Sequence, residues 1–411
     1  MTGRPRVCFA APGHVLLSTA GSVRNILATA ESLREWADVT LAFRAIAEEV
    51  KPRGVHIEAI EPGAGSGAAR DDVAARGLNP FTHLSYMRTL RDYVRRSTGR
   101  YDLVLEKGWR LSGYLSRAFA GQGTPAVLIE NDARIWNEAV RTPRAAIKFL
   151  VHCAAQAVAG YCSRRVATIA AETEQLKEAL VAGRKIAPER IAVVPLGVDH
   201  EVFRPRDMRA ARAALGVSAD ATVMFYVGGM DQYHDLGPLL EALHVCAPPG
   251  LEVHLVGDGE YRSRYERLAE GLPVKVVFHG QVAHHLVPDY IATGDVCLAP
   301  YYVGGFFRNE VAFSTLKIPE YMACERPVIS VPSGNIRALV TEGVTGFLFN
   351  NDVGCWTRFL ERLPSRERFA TMGQAAGPAV SHLSWRATAR KYLDLAASCD
   401  QRAVRAGGTI Y

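Results

Sequence analysis

Most of the short signatures that fix a chemistry outright are missing from this 411-residue chain. There is no G-x-x-x-x-G-K-[ST], so no P-loop is expected to cradle phosphates. There is no H-E-x-x-H and no Cys/His cluster. His284 and His285 are adjacent rather than helically spaced, so no metal centre is expected. The absence of a G-x-S-x-G elbow argues against a serine hydrolase. The one glycine pair of dinucleotide type, Gly257-Asp258-Gly259, has Arg262 where the fingerprint needs a third small residue, which argues against a dehydrogenase. The eight cysteines stand apart, with no CxxC, and most lie in apolar runs. They read as buried, reduced thiols, which fits a cytoplasmic protein. No signal peptide is visible: MTGRPRVCFAAPG reads as a first strand running into a glycine turn, with His14 in that first loop. The longest apolar stretch, residues 149–160, is broken by His152 and Gln156 and is expected to be too short and too polar to span a bilayer.

What is present is a composition ordinary for a globular protein and a length that suggests two domains. Charge is uneven. Residues 1–200 hold 27 Lys and Arg against 20 Asp and Glu, so the whole net charge of +6 comes from the first half. A basic half invites an acidic partner, such as a phosphorylated substrate or a membrane surface. The segment 82–97 reads as an amphipathic helix ringed by Arg88, Arg91, Arg95 and Arg96. A solvated charged face and contact with an anionic membrane at its inner face are equally compatible with it.

Strand and helix patterns alternate along both halves and restart near residue 200. This predicts an α/β protein of two doubly wound parallel-sheet, Rossmann-like domains, with ligands beyond the carboxyl ends of the strands and in a cleft between the domains. The expected boundaries are 1–198 and 199–383. Residues 62–80, rich in Gly, Ala, Arg and Pro without a period, read as a mobile loop.

One stretch carries more chemistry than the rest: FSTLKIPEYMACERP, residues 313–327. Ser314 or Thr315 is placed to cap a helix whose first turn carries Lys317 and Glu320. Free N–H groups there, with Lys317, suit a phosphate, and Glu320 suits the two hydroxyls of a ribose. A capped amphipathic helix with a solvated Lys and Glu is the plain alternative. Gly228 and Gly229, after the strand TVMFYV, allow a ligand to approach the backbone.

In order along the chain, VVPLGVDHEVFRP, YVGGMDQYHDLGPLLEAL, LEVHLVGDGEYRSRYERLA, VVFHGQV, DVCLAPY, FSTLKIPEYMACERPVIS and LVTEGVTGFLF resemble the retaining glycosyltransferases of family 4, which have the GT-B fold. The resemblance covers nearly the whole chain and is strongest over 192–349; HLSWRATARKYLDL is similar to the family's last helix, which implies that a helix over 384–398 packs back on the first domain. It implies transfer of a sugar from a nucleoside-diphosphate sugar to an acceptor hydroxyl with retention at the anomeric carbon, without a metal or other cofactor. It places the base against residues 280–282, including Val282, the ribose on Glu320, and the diphosphate near Ser314, Thr315, Leu316 and Lys317. Gly21 matches the glycine loop that closes over phosphates and acceptor; a plain strand–helix turn is the alternative. The first domain would take the acceptor, whether a small molecule, a polysaccharide or a lipid-linked compound. No nucleic-acid partner is implied.

Two departures stand out. The family usually carries Arg and Lys on the diphosphate after the first strand of the second domain; here those positions are Gly229 and His234. The first of its two glutamates is Ala312, and the sequence resembles the variant S-x-x-K-x-x-E-Y-M-A. Lys317, His234 and Arg308 are then the groups left to neutralise the diphosphate. Where many members have a histidine near the reacting carbon, this chain has Glu130, Asn131 and Asp132. Glu130, Asp132 and His14 are the candidates for catalysis, capping or ion pairing being the alternative for the carboxylates. A nucleotide-sugar epimerase, or a non-catalytic nucleotide-sugar-binding partner, remains open on the same fold.

Overall fold

In the first strand Val7, Phe9 and Ala11 face one side and Cys8 and Ala10 the other, and all five are buried. A strand apolar on both faces belongs in the middle of a parallel sheet covered by helices on both sides, and that is what forms. The computed structural model describes residues 3–16, 21–47, 52–61, 80–132, 142–231, 233–302 and 315–405. The described residues up to Gly197 and from Trp385 make one compact unit, and those from Val198 to Ser384 make the other.

The first unit holds β1 (Arg6–Leu16), β2 (Asp38–Ile46), β3 (His56–Ala59), β4 (Leu103–Lys107), β5 (Ala126–Glu130), β6 (Thr168–Ala171) and β7 (Ile191–Val193). The seven strands are parallel, in the order β3-β2-β1-β4-β5-β6-β7. On one face Val23 and Ile26 of helix Gly21–Leu33 and Ala389, Tyr392 and Ala396 of helix Trp385–Arg405 pack on Phe9, Leu41 and Leu105. On the other, helices Pro80–Arg96, Tyr114–Ala120 and Pro143–Ser163 bring Leu90, Phe119, Ala155 and Cys162 onto Cys8, Ala10 and Val104.

The second unit repeats the plan with β8 (Thr222–Val227), β9 (Leu251–Val256), β10 (Lys275–Gly280), β11 (Val296–Ala299), β12 (Val328–Ser330) and β13 (Gly346–Leu348), ordered β10-β9-β8-β11-β12-β13. Its core joins Met224 and Tyr226 of β8 to Leu239, Leu240 and Leu243 of helix Gly237–Val245, with Trp356 and Phe369 from later helices. Chain direction across each sheet switches beside the first strand of the unit: β1 against β4, and β8 against β11. Two doubly wound parallel sheets are therefore present, as the alternation predicted.

Several local expectations change. The first strand does not end at the expected glycine turn; after a register shift between Ala11 and Val15 it continues to Leu16, pairing Val15 with Ala45 and Leu16 with Ile46. His14 thus lies in the extension of a strand rather than in a loop. The apolar stretch expected over 149–160 is part of a 21-residue helix, and its segment Ala145–Ser163 is long and apolar enough, by length and composition alone, to cross a membrane. Residues 62–79 and 303–314 lie outside the described residues, and with them the expected mobile loop, Arg308 and Ser314.

Candidate nucleotide-binding site

At the carboxyl end of β8 the chain turns through Gly228 and Gly229. The loops after β8, β9 and β10 are tied in series: Gly228 N–H donates to Val256 O (3.0 Å), Met230 N–H to Asp258 O (3.0 Å) and Gly257 N–H to Gly280 O (2.8 Å). Gly257 is needed there. Its φ of +124° is unfavourable for an L side chain, and a Cβ would sit 1.9 Å from Gly228 O. Across the switch point, residues 233–235 pair with 300–302: Asp235 N–H donates to Pro300 O (3.0 Å) and Tyr302 N–H to Tyr233 O (3.1 Å). This brings His234 against the Tyr301 ring, with centroids 5.2 Å apart.

Helix Lys317–Ala323 enters from the side, its Ile318, Pro319, Tyr321 and Met322 buried. Tyr321 fixes it to the end of β8, its hydroxyl accepting from Val227 N–H (2.8 Å) and donating to Val227 O (3.2 Å). This anchor sets Lys317. Its ammonium donates to Tyr226 Oη (3.3 Å) and lies 4.4 Å from the Tyr226 ring centroid and 5.7 Å from that of Tyr301. A Cβ on Gly228 would come within 2.5 Å of Nζ, so glycine there makes room for the cation. Although Lys317 is only half-buried by area, its ammonium is hemmed in by two rings and backbone. Burial lowers its pKa to about 7 against the opposing pull of the Asp231 and Glu320 carboxylates.

Asp231 accepts from Tyr233 N–H (2.8 Å) and from His234 Nδ1 (3.0 Å). Burial pushes its pKa up, but His234, the Tyr233 N–H and Lys317 bring it below the usual value. His234 is driven down to about 4 by burial and by Lys317, against Asp231. With that pKa this imidazole is uncharged at neutral pH. Its Nδ1–H is directed to Asp231, leaving Nε2 as an acceptor.

The switch point therefore brings together Gly228, Gly229, His234 and Lys317, with Glu320 one turn along the same helix and partly exposed. Thr315 does not cap the helix. It is buried, its hydroxyl bonded to Tyr301 Oη, and the N-cap position falls to Leu316 with no side-chain cap. Val282 follows β10, the edge strand two places from β8, and is partly exposed. Sequence reasoning missed Asp231, Tyr226 and Tyr301. The three-residue spacing of Asp231 and His234 was a legible signal for the first; the two tyrosines read only as strand residues.

In the first unit Gly21 begins helix Gly21–Leu33, and Asp132 is partly exposed just past β5. Glu130 is wholly buried, paired with Arg184 and accepting from Ser112 Oγ (3.2 Å). This is the ion-pair alternative, and an enclosed carboxylate with both oxygens engaged is poorly placed to meet an acceptor hydroxyl. Lys107 at the end of β4 is likewise buried, 2.6 Å from Glu172.

Residues 221–365, which span this site, match the family model described as glycosyl transferases group 1. A D-inositol 3-phosphate glycosyltransferase of Thermomonospora curvata is 31% identical over 334 residues, covering 74% of this chain and 73% of that protein. The chain belongs to the group 1 glycosyltransferases. The enzyme of the same name from Geodermatophilus obscurus is 29% identical over 75% of this glycosyltransferase and 69% of its own length. Among solved structures, sucrose-phosphate synthase of Thermosynechococcus elongatus superposes with a TM-score of 0.73 at 19% identity, over 98% of this chain and 100% of that one. HepE of Anabaena, in complex with UDP and glucose, does so at 0.70 and 16%, over 96% and 100%. These likenesses identify the fold as GT-B. This is a nucleotide-sugar-dependent glycosyltransferase, and neither an epimerase nor a non-catalytic binding partner is favoured by its relatives.

Proposed function

We propose that this enzyme is a retaining, family 4-type glycosyltransferase whose donor diphosphate is held by Lys317 and whose donor ribose is held by Glu320. The observation that carries the reading is the Lys317 ammonium against Gly228 at the carboxyl end of β8, beside the chain switch where ligands of doubly wound sheets bind. With glycine at 229 and a neutral imidazole at 234, Lys317 takes over the charge that other members supply from those positions. The base then lies toward residues 280–282. HepE, which shares the fold, binds UDP and UDP-glucose, so a nucleoside-diphosphate sugar is the donor class to test first.

Retention follows from displacement on one face of the sugar. The anomeric carbon–oxygen bond to the diphosphate breaks, the acceptor oxygen bonds to the same face, and the acceptor proton passes to the leaving diphosphate. No protein nucleophile is required. The ammonium stabilises charge that grows on the leaving group, work that elsewhere falls to other cations or to aligned N–H dipoles. No metal is needed, and the setting is the cytoplasm. The basic first domain and relatives named for an inositol phosphate favour an acceptor that carries phosphate.

Calorimetric titration with a panel of nucleoside-diphosphate sugars tests the site. Lys317→Met and Glu320→Gln should each weaken binding by about 10- to 100-fold, the range for losing a hydrogen bond to a charged group. Transfer should be unaffected by EDTA. Unchanged donor affinity in both variants would overturn the assignment.

A further inference from the structure

Helix Pro143–Ser163 covers the first sheet with only part of its surface. Ala155, Ala159 and Cys162 are buried, the first and last of them in the core. Ile147, Leu150, Ala154, Ala157 and Tyr161 recur at alternating spacings of three and four, form one stripe, and are all exposed; Ile147 is 62% exposed and Leu150 66%. An apolar ridge on a surface helix marks an interaction site when its surroundings say what it meets. Here they do. From residue 139 to residue 171 the chain has no Asp or Glu but has Arg141, Arg144, Lys148, Arg164 and Arg165. The neighbouring helix Tyr114–Ala120 adds Arg117, in a stretch, 107–129, that also lacks acidic residues. Arg117 and Arg165 both lie on the ring of Tyr161, at 5.2 and 3.7 Å from its centroid.

We propose that this ridge seats the enzyme on an anionic lipid surface, the helix lying in the plane of the interface. Ile147 and Leu150 enter the acyl boundary, Tyr161 sits at the headgroup level, and Arg164 and Arg165 meet lipid phosphates. The helix does not span, because Ala155 and Cys162 hold its other side in the core of the first unit. A second copy of the chain fits less well. Two such ridges face to face would bring their cations together, with no carboxylate from residues 107–129 or 139–171 on either side to meet them. The contact lies on this helix rather than on Pro80–Arg96, whose arginines are exposed but whose apolar residues Leu90 and Val94 are buried. All of this belongs to the first unit, so it stands or falls apart from the donor site.

Co-sedimentation with vesicles of phosphatidylcholine, with and without phosphatidylglycerol, tests it. The protein should bind the vesicles that contain phosphatidylglycerol, less at high salt, and leave pure phosphatidylcholine largely unbound. Ile147→Asp and Leu150→Asp should each lower partitioning about tenfold, with melting temperature and donor affinity unchanged because both sites are exposed. Absence of binding to phosphatidylglycerol vesicles would overturn the proposal, as would aspartate variants that bind like the parent. So would a concentration-dependent dimer that these substitutions dissociate, since the ridge would then be a self-association surface.

Discussion

Lys317 reaches the switch point as a cation with a pKa of about 7, beside an imidazole kept neutral and a carboxylate kept ionised. With Lys317 as the proposed diphosphate ligand, donor binding is expected to be a proton-linked event. A diphosphate against Nζ favours the ammonium, so the pKa of Lys317 is higher in the complex than in the free enzyme. Below pH 7 the lysine is charged in both states and affinity is at its highest. Above pH 7 the free amine must take up a proton, and affinity falls by up to about tenfold per pH unit until the bound-state pKa is reached. Calorimetry at pH 8 in buffers of different ionisation enthalpy should report uptake close to one proton, and at pH 6 close to none. A nucleoside-diphosphate sugar is the right ligand, because its diphosphate diester does not titrate in that range. Lys317→Met should remove the dependence; a pH-independent affinity in the parent enzyme would refute the proton linkage. At this scale the sequence was partly legible. Lys317 and Glu320 stood out by their spacing at a helix start. The neutrality of His234 did not, since it depends on burial beside Lys317, 83 positions away. Nor did the fate of Glu130, whose partner Arg184 is 54 residues on.

The strand-end loops show how elements hold that lysine. Gly257 lets the loop after β9 pass against the loop after β8, and the latter is the floor under Nζ. Gly257→Ala must place a Cβ where Gly228 O now lies, at a φ of +124°. Backbone strain alone is worth about 1–3 kcal/mol, and relief requires Gly228 to move. We expect a lower melting temperature together with weaker donor binding. Gly271→Ala is the control: its φ is +72°, but nothing lies within 4 Å of the added Cβ. It should cost stability through strain and leave donor affinity as it was. Equal donor affinity in the two variants would mean that the β8–β9 contact does not position the site. The alternation of strands and helices was readable because each element carries its own period. Element ends were less so. The helix at Lys317 was expected to be capped by a hydroxyl, but the Thr315 hydroxyl turns inward to Tyr301, a pairing that local sequence does not announce.

For the whole molecule, the informative feature is that the first unit is closed by the last helix of the chain. Residues 1–197 leave one face of their sheet short of cover until Ala389, Tyr392 and Ala396 arrive. Arg386 pairs with Glu35, two residues past the end of helix Gly21–Leu33, and Thr388 Oγ1 donates to Pro195 O (2.9 Å). A return of the terminal helix to the first domain was expected from resemblance; nothing in its own amphipathic pattern says which sheet it covers. The two units therefore respond differently to damage there. Tyr392 is buried in the core of the first unit, and Tyr392→Ala should cost about 3–5 kcal/mol, the range for truncating a large buried aromatic. Hydrogen exchange should show β1, β4 and β5 losing protection while β8, β9 and β11 keep theirs. Because Lys317 and Glu320, the proposed donor ligands, belong to the unit Val198–Ser384, donor affinity should survive while transfer falls. If exchange rises equally in both sheets, the chain unfolds as one cooperative body, and the terminal helix is a brace for all of it rather than for the first sheet.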